Sequence, residues 1–87
     1  MYSVEFTQTA EKQFYKLPKE IQLRMLRVLE RIKIRPFHFV KRKEGTPYFI
    51  MRVGEYRAIL DIETNEEKIF VMETGHRKNI YDWAKRQ

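Results

Sequence analysis

Two residues, Gly54-Glu55, constrain this chain more than any others, because they interrupt two stretches that both favour strands, Tyr48 to Val53 and Tyr56 to Ile62. Glycine at the first central position of a two-residue hairpin loop suits a type II′ turn, and that turn fixes the register of the flanking strands. Val53 then faces Tyr56, and Arg52 faces Arg57. Like charges directly opposed on one sheet face repel. A chain that keeps two arginines there is better explained by anion binding than by its own stability.

Register assigns faces, since successive strand residues alternate and opposed residues point the same way. Phe49, Met51, Val53, Tyr56, Ala58, Leu60 and Ile62 form the core side. The other side takes Tyr48, Ile50, Arg52, Arg57, Ile59 and Asp61. A third strand, Lys68 to Thr74, completes a meander after a turn around Asn65-Glu66; if that turn has two residues, Phe70, Met72 and Thr74 join the second face. Its apolar floor of Ile50, Ile59, Phe70 and Met72 needs a cover, supplied by a final helix through Ile80 and Trp83 or by a partner's helix. Thr74 would end beside Arg57, so Gly75, His76 and Arg77 would emerge next to the arginine pair. Three guanidinium groups, an imidazole and the phenol of Tyr81 would then surround one small volume. The arginine fork matches phosphate oxygens, and an aromatic ring stacks on an unpaired base.

Upstream, Tyr2 to Phe6 alternates like a half-buried strand, and Thr7 or Thr9 can cap a helix carrying Ala10, Phe14 and Leu17. Leu17-Pro18 breaks that helix, and Pro18 suits the first position of the next, which runs to about Arg35 before Pro36. Ile21, Met25, Val28, Leu29 and Ile32 form its apolar stripe, while Glu20, Arg24, Arg27, Arg31 and Arg35 lie on another. So short a connection implies an antiparallel helical hairpin. Pro36 to Pro47 reads as a loop with Lys41-Arg42-Lys43 at its heart, and Asn79 can cap the final helix, where Ile80, Trp83 and Ala84 share a face. The expected fold is α+β: two helices from the amino-terminal region packed on a mainly antiparallel four-stranded sheet, with a short carboxyl-terminal helix.

The 87 residues suffice for one domain, spanning 1–87. A formal charge of +6 favours an anionic partner, and the excess concentrates between Arg24 and Lys43. With no cysteine, two distant histidines and one serine, Ser3, neither a metal site nor a serine nucleophile has support, and no cofactor is expected. No apolar run approaches the length of a membrane span, and no leader precedes the first strand, so a cytoplasmic protein is expected.

Phe49-Ile50-Met51-Arg52-Val53-Gly54-Glu55-Tyr56-Arg57 and Gly75-His76-Arg77-Lys78-Asn79-Ile80-Tyr81, together with Leu17-Pro18 between two helices, resemble the RelE toxins of the RelE/ParE superfamily. The resemblance covers nearly the whole chain. It implies a toxin of a type II toxin–antitoxin pair that enters the ribosomal A site and cuts messenger RNA without a metal. The ribose 2′-hydroxyl attacks the adjacent phosphate, leaving a 2′,3′-cyclic phosphate and a 5′-hydroxyl. It further implies that Arg57 and Arg77 bind the scissile phosphate, that Tyr81 stacks on or orients the base, and that Arg52 acts as an electrostatic clamp. The best-known RelE pattern carries lysine where this chain has Ile50 and Arg52. Arginine does not give up its proton, so His76 is the expected base, with Tyr81 next.

On the same resemblance, Arg24, Arg27, Arg31, Arg35, Lys41, Arg42 and Lys43 would hold ribosomal RNA. A RelB-like cognate antitoxin would cover Ile50, Ile59, Phe70, Met72, Ile80 and Trp83. Two alternatives stay open: a ParE-like toxin of the same fold that binds a topoisomerase and lacks ribonuclease activity, and an inactive RNA-binding relative. RNA cleavage needs the cationic cluster with Tyr81, whereas a protein inhibitor does not.

Overall fold

Eight elements follow one another along residues 1–80, the part of the chain that this computed structural model describes. They are β1 (Ser3–Phe6), α1 (Gln8–Tyr15), α2 (Lys19–Ile32), β2 (Val40–Arg42), β3 (Phe49–Val53), β4 (Tyr56–Glu63), β5 (Lys68–His76) and α3 (Arg77–Ile80). The sheet order is β1-β5-β4-β3-β2, parallel between β1 and β5 and antiparallel elsewhere.

Thr7 caps α1: its Oγ1 accepts from the Ala10 N–H at 3.1 Å and donates to the Met72 carbonyl at 3.0 Å, tying the helix start to β5. Pro18 is the cap of α2, one position earlier than expected, and its carbonyl accepts from the N–H groups of Ile21 and Gln22. Buried Gln22 closes the break between the helices, with Nε2 donating to the carbonyls of Leu17 (2.9 Å) and Tyr15 (3.3 Å). Regular helix stops at Ile32, not near Arg35, and the Lys33 carbonyl is taken instead by the N–H of Tyr2 at 2.9 Å. The helical hairpin covers one sheet face, where Ala10, Phe14, Met25, Leu29 and Ile32 pack with Met51, Val53, Ala58, Leu60, Ile69 and Val71.

The hairpin between β3 and β4 has the register that its turn demands, with Arg52 opposite Arg57 and Val53 opposite Tyr56. Gly54 has φ +59°, while Glu55 is not in the positive region, the pattern of a type II′ turn.

Three expectations about the sheet are corrected. It has five strands, because residues 40–42 of the expected loop pair with β3 along its edge. The second turn spans four residues, 64–67, with Glu67 at φ 54°. A bulge at Met72 shifts the β4–β5 register, so Thr74 stands opposite Ala58 and Gly75, not Thr74, stands opposite Arg57. β5 therefore continues to His76, and α3 begins at Arg77, which leaves Asn79 inside the helix and not at its cap. His76 takes the capping role, its Nδ1 accepting from the Lys78 N–H at 3.2 Å. On the outer face Ile80 closes over Ile59, flanked by Tyr48, Ile50 and Met72.

A candidate anion-binding cleft

The outer face of β3 and β4, together with the segment 41–44, encloses an open cleft of about 580 Å³ lined by Lys41, Arg42, Lys43, Glu44, Ile50, Arg52 and Arg57. Glu44 is its one acidic residue among the described residues. Strand pairing explains the convergence. Lys41 stands opposite Ile50, two residues before Arg52 on β3, and Arg52 stands opposite Arg57 on β4.

Arg57 is 8% exposed, and its Nη1 donates to the carbonyls of Gly54 at 2.7 Å and Tyr56 at 2.9 Å. No carboxylate pairs with it among the described residues. Burying an unpaired cation is costly. Here the backbone holds one edge of the guanidinium still and leaves Nε and Nη2 outside those two bonds, a geometry ready for an incoming oxyanion. Arg52 is exposed across the strand pair.

The hairpin tip gathers two more arginines. Arg77 Nε meets Glu55 Oε2 at 2.7 Å, and the Arg77 N–H donates to the Glu55 carbonyl at 2.8 Å. From α2, the Arg24 guanidinium lies over the turn, its Nη1 3.5 Å from where a Cβ on Gly54 would sit. Arg77 thus reaches the same tip as Arg57 but is held at Glu55 and is not among the residues lining the cleft.

His76 lies elsewhere. It stands opposite Tyr56, whose ring packs on the helical side, and the two rings meet edge to face with centroids 5.4 Å apart. Gly75, one residue earlier, is the position beneath Ile80 and beside Arg57. The imidazole is consequently turned to the opposite face of the sheet from Arg52 and Arg57, which corrects the expected cluster.

The α2 cations also divide. Arg31 and Arg35 line a smaller hollow of about 260 Å³ with Ile34, His38 and Phe39, while Arg27 is exposed and lines neither cavity. Of the apolar floor, Ile59 and Ile80 are already buried against each other, with Ile50 and Met72 packed beside them, and half-buried Phe70 stands opposite Asp61. Tyr81 and Trp83 lie outside the described residues. Two contributors escaped sequence reasoning. Glu55 as the partner of Arg77 has no signal in the sequence, whereas the place of Lys41 in the cleft follows once residues 40–42 are recognised as a strand. Among the described residues no three His, Cys, Asp or Glu side chains are grouped to hold a metal ion, and no helix is long and apolar enough to cross a membrane.

Residues 4–81 match the family model described as ParE toxin of type II toxin-antitoxin system, parDE. The chain belongs to this toxin family. Structural similarity extends the assignment to RelE-type toxins of the RelE/ParE superfamily. The toxin–antitoxin complex RelBE2 from Mycobacterium tuberculosis contains a chain 28% identical, with TM-score 0.77, covering 87% of this toxin and 98% of that chain. The intact E. coli RelBE complex gives 19% identity and TM-score 0.80 over 87% and 96% of the two chains, and isolated E. coli RelE gives 19% and 0.77 over 99% and 97%. At that identity the two E. coli likenesses speak for the fold. No curated protein sequence matches the toxin significantly.

Proposed function

We propose that this toxin is a ribosome-dependent endoribonuclease that cleaves messenger RNA in the A site by in-line attack of a ribose 2′-hydroxyl on the adjacent phosphate. Arg57, nearly buried, fixed by two carbonyls and without a carboxylate partner among the described residues, is the observation that carries this reading. It is the preorganised donor that stabilises the charge developing on the phosphorane. Arg52 holds the same phosphate from the facing strand. Arg77 joins by exchanging Glu55 for substrate, and Tyr81 stacks on the base. Arg24, Arg42 and Lys43 extend the cationic track to neighbouring phosphates, with Arg27, Arg31 and Arg35 further along α2. Because the RNA supplies its own nucleophile and leaving group, positioning, proton transfer and charge stabilisation are all that the protein must provide, and no metal takes part.

The toxin works in the cytoplasm opposite a cognate antitoxin, as the RelE toxins of the solved RelBE complexes stand opposite RelB. Since Ile80 already covers Ile59, an antitoxin helix using the apolar floor displaces α3 and meets Ile50, Phe70 and Met72 in its place.

The test is a translation reaction with purified ribosomes, followed by mapping of new messenger ends. New 2′,3′-cyclic phosphate and 5′-hydroxyl ends with the wild-type toxin, and none with Arg57→Ala, are expected. Intact messenger at stoichiometric toxin would overturn the reading. A topoisomerase-binding activity is the second reading, favoured by the match to the ParE family model. It predicts inhibition of DNA supercoiling by the toxin, with messenger left intact.

A further inference from the structure

Cleavage by the 2′-hydroxyl requires a side chain that exchanges protons, and neither Arg52 nor Arg57 does so at any working pH. With His76 on the opposite face, the titratable residues lining the cleft among the described residues are Lys41, Lys43 and Glu44. Strand register ranks the two lysines by distance from the arginine pair. Lys41 is in the middle of β2, directly opposite Ile50, so it shares the sheet face of Ile50, Arg52 and Arg57. Lys43, just past the end of β2, donates its N–H to the Tyr48 carbonyl at 3.0 Å, which places it on the same face but opposite Tyr48, two residues farther along β3 from Arg52 than Lys41 is. Glu44, in the turn that follows, carries the charge that repels phosphate. Lys41 is exposed and makes no hydrogen bond or ion pair among the described residues, so none of them holds its amine beside the arginine pair.

We propose that Lys41 is the proton-transfer residue of the cleft, an assignment that rests on the ribonuclease reading above. The neutral Lys41 amine takes the proton of the 2′-hydroxyl as the bond from O2′ to phosphorus forms and the bond from phosphorus to O5′ breaks. The departing 5′-oxygen takes a proton from water. Lys41 afterwards returns its proton to solvent, so the reaction is proton-neutral overall. Among the described residues, the charged groups facing Lys41 are Arg52 on β3, Arg57 on β4, and Arg42, Lys43 and Glu44 on its own segment. All but Glu44 are cations, and the scissile phosphate is the anion that they share.

The register also supplies a positional test. Directly opposed residues have Cβ atoms only about 4.5–5.5 Å apart. A lysine at position 50 therefore reaches the space that the Lys41 amine serves, and the exchange Lys41→Ile with Ile50→Lys moves the amine to the neighbouring strand without removing it.

Single-turnover cleavage of ribosome-bound messenger, across a pH series, is measured for the wild type, Lys41→Arg and the exchanged pair, alongside thermal unfolding and ribosome affinity. Lys41→Arg keeps the charge. It is expected to fold and bind ribosomes like the wild type but to cut roughly 10²- to 10⁴-fold more slowly. Its rate should keep climbing with pH where the wild-type rate levels off, and the exchanged pair should recover at least about tenfold over Lys41→Arg, a fraction of that loss. If Lys41→Arg cuts at the wild-type rate with the same pH profile, or loses rate only in proportion to ribosome affinity, Lys41 is not the proton-transfer residue. If the wild-type toxin itself leaves messenger intact, the ribonuclease reading fails and this assignment falls with it, an outcome distinct from the other two.

Discussion

Replacing Arg57 by methionine separates what this side chain does for the fold from what it does for an anion. The substitution removes two charge-assisted hydrogen bonds, at 2.7 and 2.9 Å, from the carbonyls of Gly54 and Tyr56. Such bonds contribute about 1.5–3 kcal/mol each when water cannot replace them. Here Gly54 and Glu55 are exposed and Tyr56 is only half-buried, so water takes over much of the loss. The substitution also relieves repulsion between Arg57 and Arg52. For unit charges about 7 Å apart, an effective dielectric constant between about 20 and 80 gives roughly 0.6–2.4 kcal/mol. The opposing effects leave a net destabilisation of about 1 kcal/mol, a fall of about 4–8 °C in Tm for a domain of this size. Most of the protein remains folded at 25 °C. Catalysis has no such compensation, because losing one preorganised donor to a developing oxyanion typically costs about 10²–10³ in rate. Single-turnover cleavage on purified ribosomes, with thermal unfolding of the same sample, reads both quantities. A methionine variant that cuts within about fivefold of wild type, a difference near 1 kcal/mol, would refute the role given to Arg57.

Gln22→Ala should destabilise the fold by about 1–3 kcal/mol, since it strands the carbonyls of Tyr15 and Leu17 at the helix break; the midpoint of urea unfolding measures this. Gly54→Ala should cost about 1–2 kcal/mol, because φ +59° disfavours a side chain although the nearest atom, Arg24 Nη1, leaves room at 3.5 Å. An unchanged unfolding midpoint would contradict the turn assignment. Glu55→Gln should leave stability within about 1 kcal/mol, as expected for an exposed ion pair, and raise cleavage up to about fivefold by releasing Arg77. A lower cleavage rate would mean that Glu55 positions Arg77 for the reaction and does not compete with substrate.

The parts of the fold readable in the sequence are those where one local rule dominates. Gly54 needs a positive φ, and that requirement alone aligned Arg52 with Arg57 and sorted the side chains of β3 and β4 onto the observed faces. Leu17-Pro18 likewise marked the helical hairpin. β2 was hidden because it is a three-residue edge strand with two basic side chains, a composition that protects an edge from further pairing and looks the same as a loop. The bulge at Met72 was hidden for a different reason. An extra residue changes which face every later side chain takes, yet no residue type requires it there. Thr74 and His76 therefore lie on the helical face, not beside Arg57.

That bulge decides how the site is assembled. Had β5 kept an uninterrupted register, its last residues would have carried an imidazole toward the arginine pair, and β2 would have been only an edge. With the register shifted, β5 brings Gly75, a residue without a side chain, beside Arg57, while Arg77 turns back onto the tip through Glu55. Among the described residues, the titratable side chains facing the arginines then come from the other edge, along residues 41–44. Two irregularities of the sheet, a bulge in one strand and a short strand at its border, thus exchange which edge of the described sheet presents titratable side chains to the cleft. The permanent charges of Arg52 and Arg57 stay fixed by the hairpin between them.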